Sequence, residues 1–193
     1  MEDTDRNALP PDELCRRKSG VCEEQDTLSA DFLLSGPKSW LSPWVQNLVV
    51  ELGCRMKAQI RYRHEDLSGG DVLFVLGYLR LLPKPARMKY RRCLVVHESA
   101  LPRGRGWSPV AWQVLEGKSR IPVRMFEAVE ELDAGPVCLE DEMVLQGHEL
   151  LPEIRARQAE ATLRLIRRFL GSDPWPAGTE QSGEPSYYAR RTR

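Results

Sequence analysis

The sequence has little of what marks several large classes of protein. It has no excess of charge of either sign, because 28 basic residues offset 28 acidic ones, so charge alone does not indicate a nucleic-acid binder. No apolar run approaches the roughly 20 residues of a membrane span. The N-terminus also lacks the apolar core of a secretory signal. These absences predict a cytoplasmic protein without a membrane segment.

Paired cysteines are also absent. The five cysteines are odd in number and form no CxxC pair, which argues against a disulfide framework and against a zinc site; they are Cys15, Cys22, Cys54, Cys93 and Cys138. Of the three histidines, neither His64 nor His148 has a partner at ligand spacing, and both are interpreted as structural. We therefore predict a reducing compartment and no metal.

Composition divides the chain into three parts. Residues 1–28 are polar and lack apolar periodicity, so we expect a disordered extension that cannot bury enough surface to offset the entropy of ordering. Residues 29–171 carry the patterns of one folded catalytic domain. Residues 172–193 contain prolines and glycines but no core pattern. We expect a disordered tail there, in preference to a segment docked on the domain or on a ligand.

Apolar periodicity in the middle part predicts strands that alternate with helices. Residues 71–78 and 92–96 are apolar on both faces, as the central strands of a parallel sheet must be. Further strands are predicted at residues 30–35, 58–64, 122–128 and 137–144, and helices at 40–52, 108–116 and 149–170. The alternation favours an α/β fold with a mostly parallel sheet and helices on both faces.

A basic cluster lies between Arg80 and Arg105. It holds eight basic residues, and only Glu98 opposes them, so this window carries a net charge of +7 within a neutral chain. The cluster brackets the C-terminal ends of two predicted strands, where the ligands of open α/β sheets bind. Two interpretations stay open, a solvated surface or a rim that attracts an anionic substrate or cofactor.

Two loop segments carry candidate chemistry. One apolar strand ends in His97, and a Pro- and Gly-rich loop follows it in HESALPRGRG, residues 97–106. A histidine at the C-terminal edge of a buried parallel strand faces the crevice, although a lone histidine is more often structural. The second segment, LDAG at residues 132–135, places Asp133 in a carboxylate-rich loop, and such loops are usually solvated turns.

Taken together, these segments resemble the formyltransferase family that uses 10-formyltetrahydrofolate. HESALPRGRG is similar to that family's histidine followed by Ser-Leu-Leu-Pro and a Gly-containing loop, and LDAG matches its Leu-Asp-x-Gly. DVLFVLGYLRLLP, residues 71–83, looks like the strand that leads into the family's folate pocket. The likeness covers residues 30–170, and GRGWSP, residues 104–109, marks a divergent branch. It implies a Rossmann-like formyltransferase fold, in agreement with the periodicity.

The resemblance implies an enzyme of one-carbon metabolism that passes a formyl group from 10-formyltetrahydrofolate to an amine. In this chemistry the amine attacks the formyl carbon, a tetrahedral oxyanion forms, and the folate nitrogen leaves. By resemblance, His97 stabilises the oxyanion and moves protons near neutral pH. Asp133 orients the histidine and accepts a proton from the amine. The implied folate pocket is lined by Arg80, Leu82, Glu131 and Asp133.

On the acceptor side, the expected substrate contacts are Ser99, Arg103, Arg105 and Trp107, although Trp107 could equally pack against the sheet. The expected acceptor is an amino sugar or another small amine. Methionyl-tRNA formyltransferases carry a further C-terminal β-barrel, which residues 171–193 are too short to form. We therefore do not expect a nucleic-acid partner. A homodimer stays open, since a sheet of this size often pairs.

One departure from the family pattern concerns the oxyanion. The family has an asparagine two residues before the histidine, and this sequence has Val95 there. Losing one such donor typically costs about 10²–10³ in rate. Ser99 or the backbone of the following loop could replace it, activity could be reduced, or the chemistry could differ. The alternative function is therefore an inactive module that binds folate or another ligand, and a weaker third is a hydrolase that releases formate.

Overall fold

The computed structural model describes residues 27–190, so the prediction for residues 1–28 lies almost entirely outside the described part. The strands are β1 Ser29–Leu34, β2 Lys57–Arg61, β3 Gly70–Leu76, β4 Tyr90–His97, β5 Arg105–Gly106, β6 Arg120–Glu127, β7 Val137–Val144 and β8 Tyr187–Tyr188. The helices are α1 Ser42–Leu52, α2 Lys84–Arg87, α3 Pro109–Leu115 and α4 Leu151–Leu170. No helix within residues 27–190 is long and apolar enough to cross a membrane.

Six strands form the central sheet, in the order β2-β1-β3-β4-β6-β7. The first four strands are parallel to one another, whereas β6 is antiparallel to both β4 and β7. This confirms the predicted mostly parallel α/β fold. The antiparallel edge was not foreseen. Residues 128–136, which join β6 to β7, form a short connection, and such a connection can join antiparallel strands but not parallel ones.

The sheet is covered on both faces. On one face, α1 and α4 bury a large core in which Phe74 stacks on Phe32 at 5.3 Å and meets Phe169 edge-on at 6.0 Å. On the other face, the short helix α2 and its neighbouring loops cover a smaller core that includes Leu73 and Leu82. Side chains alternate between the two cores along β1, β3 and β4, as the two-residue period of a strand requires.

Two helix starts differ from the predicted ones. Helix α1 begins at Ser42 instead of at residue 40, with Pro43 in its first turn. Proline is favoured there because the backbone N–H that it lacks would have no acceptor within the helix. Helix α4 begins at Leu151 instead of at residue 149, and Leu151 is 59% exposed. Complete burial on α4 starts only at Ala159, so the first turns of that helix extend past the core.

The C-terminal segment is docked on the domain as far as Arg190. The prediction of a disordered end is therefore wrong for residues 172–190. Strand β8 pairs in parallel with β5, Thr179 exchanges backbone hydrogen bonds with Val137, and the ring of Tyr188 stacks on Trp112 at 6.2 Å. These contacts are backbone pairings to a loop and single ring contacts, which leave no periodic pattern in a sequence.

Glycine at two loop positions permits this docking. Gly104 and Gly106 have φ of +77° and +100°, a region that L side chains rarely adopt. A Cβ on Gly106 would lie 2.6 Å from the carbonyl oxygen of Tyr188, and one on Gly104 would lie 2.8 Å from the Tyr188 ring. The GRG sequence of β5 is thus explained by the close approach of the C-terminal segment.

We expect Gly106→Ala to detach the C-terminal segment from β5, because the new methyl group would overlap the Tyr188 carbonyl. The matched control is Gly117→Ala, which has φ of +76° but open space around the added Cβ. Both variants should lose about 1–2 kcal/mol from the left-handed backbone. Only Gly106→Ala should increase amide hydrogen exchange across residues 179–190. Equal exchange in the two variants would contradict the explanation.

Candidate active site

His97 is the last residue of β4, at the carboxyl edge of the parallel part of the sheet. Its side chain is buried, and its Nε2 lies 2.8 Å from the carbonyl oxygen of Gly104 in the following loop. A carbonyl can only accept a hydrogen bond, so Nε2 carries a proton. The other ring nitrogen, Nδ1, is therefore the atom that can gain or lose a proton.

Asp133 meets His97 at this nitrogen, which brings the two predicted catalytic residues together. Asp133 Oδ2 lies 3.8 Å from His97 Nδ1, too far for a direct hydrogen bond but close enough for a strong attraction when the imidazole is charged. The same oxygen accepts the backbone N–H of Gly106 at 2.8 Å. Asp133 has φ of +52°, a left-handed conformation that aspartate tolerates better than most residues.

Two cavities meet at this pair. The first, of about 290 Å³, contains all four residues that the family resemblance assigns to folate, namely Arg80, Leu82, Glu131 and Asp133. Its other walls are mainly apolar, and Arg87 adds a second guanidinium. We name it the first cavity. A cavity with apolar walls and a few polar groups is typical of small-molecule sites.

The second cavity, of about 280 Å³, lies on the other side of the pair. Its polar wall includes His97, Glu98, Asp133, Gln158 and Thr162. Seven residues line both cavities: Val75, Tyr78, Leu79, Val95, Trp107, Leu132 and Asp133. The two cavities therefore share a wall, and a group in one can reach a group in the other there.

Val95 occupies this shared wall, two residues before His97 on β4. Alternation along the strand places the two side chains on the same face. The structure offers neither of the replacements considered for the missing amide donor. Ser99 is buried with no hydrogen-bond partner for its hydroxyl and lines neither cavity.

Five backbone amides of the following loop, those of residues 103–107, are also occupied. Those of Arg103, Arg105 and Trp107 donate to backbone carbonyls. The Gly104 amide donates to the Ser186 hydroxyl, and that of Gly106 donates to Asp133. Nδ1 of His97, when protonated, is a donor next to the shared wall, where it faces Asp133.

Of the four predicted substrate residues, the structure brings only Trp107 to the cavities. Arg103 lies at a different cavity, of about 790 Å³, on the side of β7. Arg105 is buried and binds Glu131 Oε1 at 2.6 Å and Gln181 Oε1 at 2.9 Å, so it fastens the loop. We correct the expectation for Ser99, Arg103 and Arg105, none of which lines either cavity; of the three, Arg105 binds the C-terminal segment through Gln181.

The basic cluster is divided in the same way. Arg80 and Arg87 line the first cavity, whereas several other members hold the fold together. Arg92 pairs with Glu127, Arg91 pairs with Asp71, and Lys89 donates to the carbonyl of Leu67. The interpretation as an anion-attracting rim stays a prediction for Arg80 and Arg87.

Four site residues were missed from the sequence. Glu98 looked like a single acid in a basic window, but it lines the second cavity and accepts a hydrogen bond from Gln158 Nε2 at 2.7 Å. Gln158 and Thr162 lie four residues apart on the inward stripe of α4, and polar residues on such a stripe were an available signal. Gln181 lies in the C-terminal segment and gave no signal.

Gln181 connects the loops on the two sides of the site. Its Nε2 donates to the backbone carbonyls of Asp133 at 2.9 Å and Gly135 at 2.8 Å, while its Oε1 accepts from Arg105. One carboxamide thus holds the loop that carries Asp133 against the loop that follows His97. Within residues 27–190, no three His, Cys, Asp or Glu side chains are grouped to hold a metal ion.

Comparison with known proteins finds one family. The model of the formyl transferase family matches residues 58–170. A methionyl-tRNA formyltransferase of Paracoccus denitrificans is 29% identical over 163 residues, which cover 81% of this chain and 54% of that protein. A GDP-perosamine N-formyltransferase of Brucella melitensis is 30% identical over 122 residues, 62% of this chain and 47% of that protein. The chain spans between 32% and 54% of the length of such relatives.

Solved structures share the fold. A methionyl-tRNA formyltransferase from Clostridium thermocellum superposes with a TM-score of 0.71 at 20% identity, over 86% of this chain and 73% of that one. The sugar 3N-formyl transferase WlaRD, solved in the presence of dTDP and 5-N-formyl-THF, has a TM-score of 0.67 at 11% identity, over 86% and 70%. The Rossmann-like interpretation of the sheet is confirmed.

We expect Gln181→Ala to loosen the Asp133 loop, because two backbone carbonyls lose their donor. Stability should fall by about 1–3 kcal/mol, the cost of leaving such groups without partners. Amide exchange at residues 132–135 should rise, which can be followed by mass spectrometry. Glu180→Ala truncates the exposed neighbour and should change neither quantity. Unchanged exchange in Gln181→Ala would argue against the connecting role.

Proposed function

The chain belongs to the formyl transferase family, and from that membership we propose that it transfers a formyl group from 10-formyltetrahydrofolate to a primary amine. The observation that carries the proposal is the approach of His97 Nδ1 to Asp133 at the wall shared by two cavities. Two reactants need two adjoining spaces and a proton-transferring group where they meet.

We assign the first cavity to the donor. A pterin is a flat ring system with polar edges, and folate adds a carboxylate tail, so apolar walls with guanidinium groups suit it. Within residues 27–190, Arg80 is exposed and forms no ion pair, which leaves it available to an anion. Support comes from relatives: WlaRD was solved with 5-N-formyl-THF, and HypX from Aquifex aeolicus was solved with tetrahydrofolic acid.

We assign the second cavity to the acceptor, whose class is an amino sugar or another small amine. The name of the Brucella relative, GDP-perosamine N-formyltransferase, supports an amino sugar. In the reaction a bond forms between the amine nitrogen and the formyl carbon, and the bond from that carbon to the folate nitrogen breaks. One proton passes from the amine to the leaving nitrogen, and side chains at the shared wall relay it.

His97 and Asp133 divide this work. Protonated His97 donates from Nδ1 to the formyl oxygen as negative charge develops on it, since the Gly104 carbonyl fixes the proton on Nε2. Asp133 Oδ2 stabilises the charged imidazole from 3.8 Å. The Gly106 amide holds Asp133 in place for this role.

We expect His97→Ala and Asp133→Asn each to lower formyl transfer by at least about 10²-fold, the usual contribution of a positioned acid or base. Asparagine also tolerates the left-handed backbone of position 133, so that variant should fold. Transfer from 10-formyltetrahydrofolate is measured with GDP-perosamine and a panel of nucleotide-linked amino sugars, and calorimetry with 5-formyltetrahydrofolate checks that donor binding persists. His148→Ala, on an exposed histidine, should behave as wild type. Full activity in both site variants would end the proposal.

Val95 favours a second candidate, a folate-binding module without transferase activity, because the shared wall lacks the amide donor of the family pattern. Calorimetry and product analysis separate the candidates. Binding of 5-formyltetrahydrofolate without transfer to any amine of the panel would support the module. Release of formate without an amine would indicate the hydrolase. Formyl-amine product establishes the transferase.

A further variant tests whether the valine limits the rate. Val95→Asn places an amide at the wall shared by the two cavities, and we expect it to raise the transfer rate by up to about 10²–10³, the typical value of one oxyanion donor. Val95→Ala creates space without a donor and serves as the control. An equal or smaller rate in Val95→Asn would show that His97 supplies enough stabilisation alone.

A further inference from the structure

The two cavities differ in their basic side chains, although Glu131 and Asp133 also line the first cavity. The lysine and arginine side chains that line either of them, Arg80 and Arg87, are both in the first cavity. The second cavity is lined by two carboxylates, Glu98 and Asp133, with His97 between them and no lysine or arginine. A cavity of this composition favours a cation over an anion.

Glu98 is positioned for a ligand by its neighbours on both sides. The Gln113 side chain donates to its backbone carbonyl at 2.6 Å, which fixes the main chain. Gln158 Nε2 donates to Oε1 at 2.7 Å, which orients the carboxylate. Within residues 27–190, Gln158 is the only side chain that donates to it. A carboxylate has about four acceptor positions, so capacity for a ligand remains.

Asp133 is less available for the same task. Its Oδ2 already accepts the Gly106 amide and faces His97 Nδ1. Its role at the imidazole would be lost if it also had to bind the amine. Glu98 accepts from Gln158 and from its own backbone amide, and within residues 27–190 it receives no hydrogen bond from the Gly104 or Gly106 amide.

We propose that Glu98 binds the ammonium group of the acceptor in the second cavity and accepts the proton that this group must lose before it attacks the formyl carbon. The proposal rests on the proposed transferase function and adds the residue that selects a primary ammonium as substrate. The ammonium loses one proton to a Glu98 oxygen, which passes it to water, and the freed lone pair forms the bond to the formyl carbon. The nitrogen then loses a second proton, which goes to the folate nitrogen as the bond from that nitrogen to the formyl carbon breaks.

The electrostatics of the site agree with this role. Burial raises the pKa of Glu98, while the charge of His97 and the amide of Gln158 lower it in part, and Asp133 raises it further. A base whose pKa lies nearer to the working pH transfers protons more effectively. A cationic amine in the cavity would also offset the repulsion between the two carboxylates.

The raised pKa of Glu98 predicts how the stability of the fold changes with pH, and this can be measured without an activity assay. The folded chain holds the Glu98 proton more tightly than the unfolded chain, so this group stabilises the fold only at low pH and that contribution is lost as the pH rises above the ordinary value of 4.5. Glu98→Gln should therefore be at least as stable as wild type at neutral pH, with the advantage shrinking as the pH falls. Denaturant unfolding across pH measures this.

The binding test uses the whole chain and a matched pair of probes. Glucosamine carries an ammonium group, and N-acetylglucosamine replaces it with a neutral amide. NMR follows the side-chain amide of Gln158, whose Nε2 contacts Glu98. We expect glucosamine to shift this signal saturably in wild type, N-acetylglucosamine to leave it unchanged, and Glu98→Gln to weaken glucosamine binding by about tenfold or more. Glu98→Asp should retain part of the affinity.

The control variant is Glu130→Gln, the same change at an exposed acid that lines neither cavity; its affinity for glucosamine should equal that of wild type. Equal binding to wild type and Glu98→Gln, or no saturable shift in wild type up to the solubility of glucosamine, would overturn the proposal. Calorimetry with 5-formyltetrahydrofolate runs in parallel. Failure of wild type to bind that folate would count against the transferase function itself, whereas loss of glucosamine binding alone counts only against Glu98.

Discussion

The candidate site depends on the hydrogen bond between His97 Nε2 and the Gly104 carbonyl. Because the carbonyl can only accept, this bond determines which ring nitrogen faces Asp133 and can exchange a proton. Gly104 holds its place through a left-handed backbone and a hydrogen bond from its amide to Ser186. The C-terminal segment, which is distant in sequence, therefore helps to determine which ring nitrogen of His97 carries the proton.

That segment links the two halves of the site. Strand β8 pairs with the loop after His97, and Gln181 binds the loop that carries Asp133. The buried Arg105 joins both through Gln181 and Glu131. Desolvating a guanidinium is costly unless it is paired and hydrogen-bonded. Its partners come from two segments, so the arginine is most stable when both are docked, and this favours a single arrangement of the site.

The sequence predicted those parts of the molecule that follow from regular patterns. The buried strands follow from periodicity, whereas the meeting of His97 with Asp133 was expected from the family resemblance. The docked C-terminal segment could not be predicted, because single pairings such as Gln181 to a loop carbonyl have no period. Ser99, Arg103 and Arg105 were misassigned for a related reason: the direction of a side chain in a loop depends on glycines with positive φ, not on order in the chain.

Val95 and Glu98 are best understood together. At the shared wall the chain lacks an uncharged amide donor, and in the adjoining cavity it has an additional carboxylate. In the proposed transfer, with Ser99 and the amides of residues 103–107 not available, we assign oxyanion stabilisation to a protonated His97. A histidine that must stay protonated cannot also serve as the base for the amine. A second base is then required on the acceptor side, and Glu98, oriented by Gln158, lies next to the histidine in that cavity. The absence of an amide at position 95 and the presence of the Glu98 carboxylate are therefore consistent with one proposal, in which His97 is the acid and Glu98 is the base.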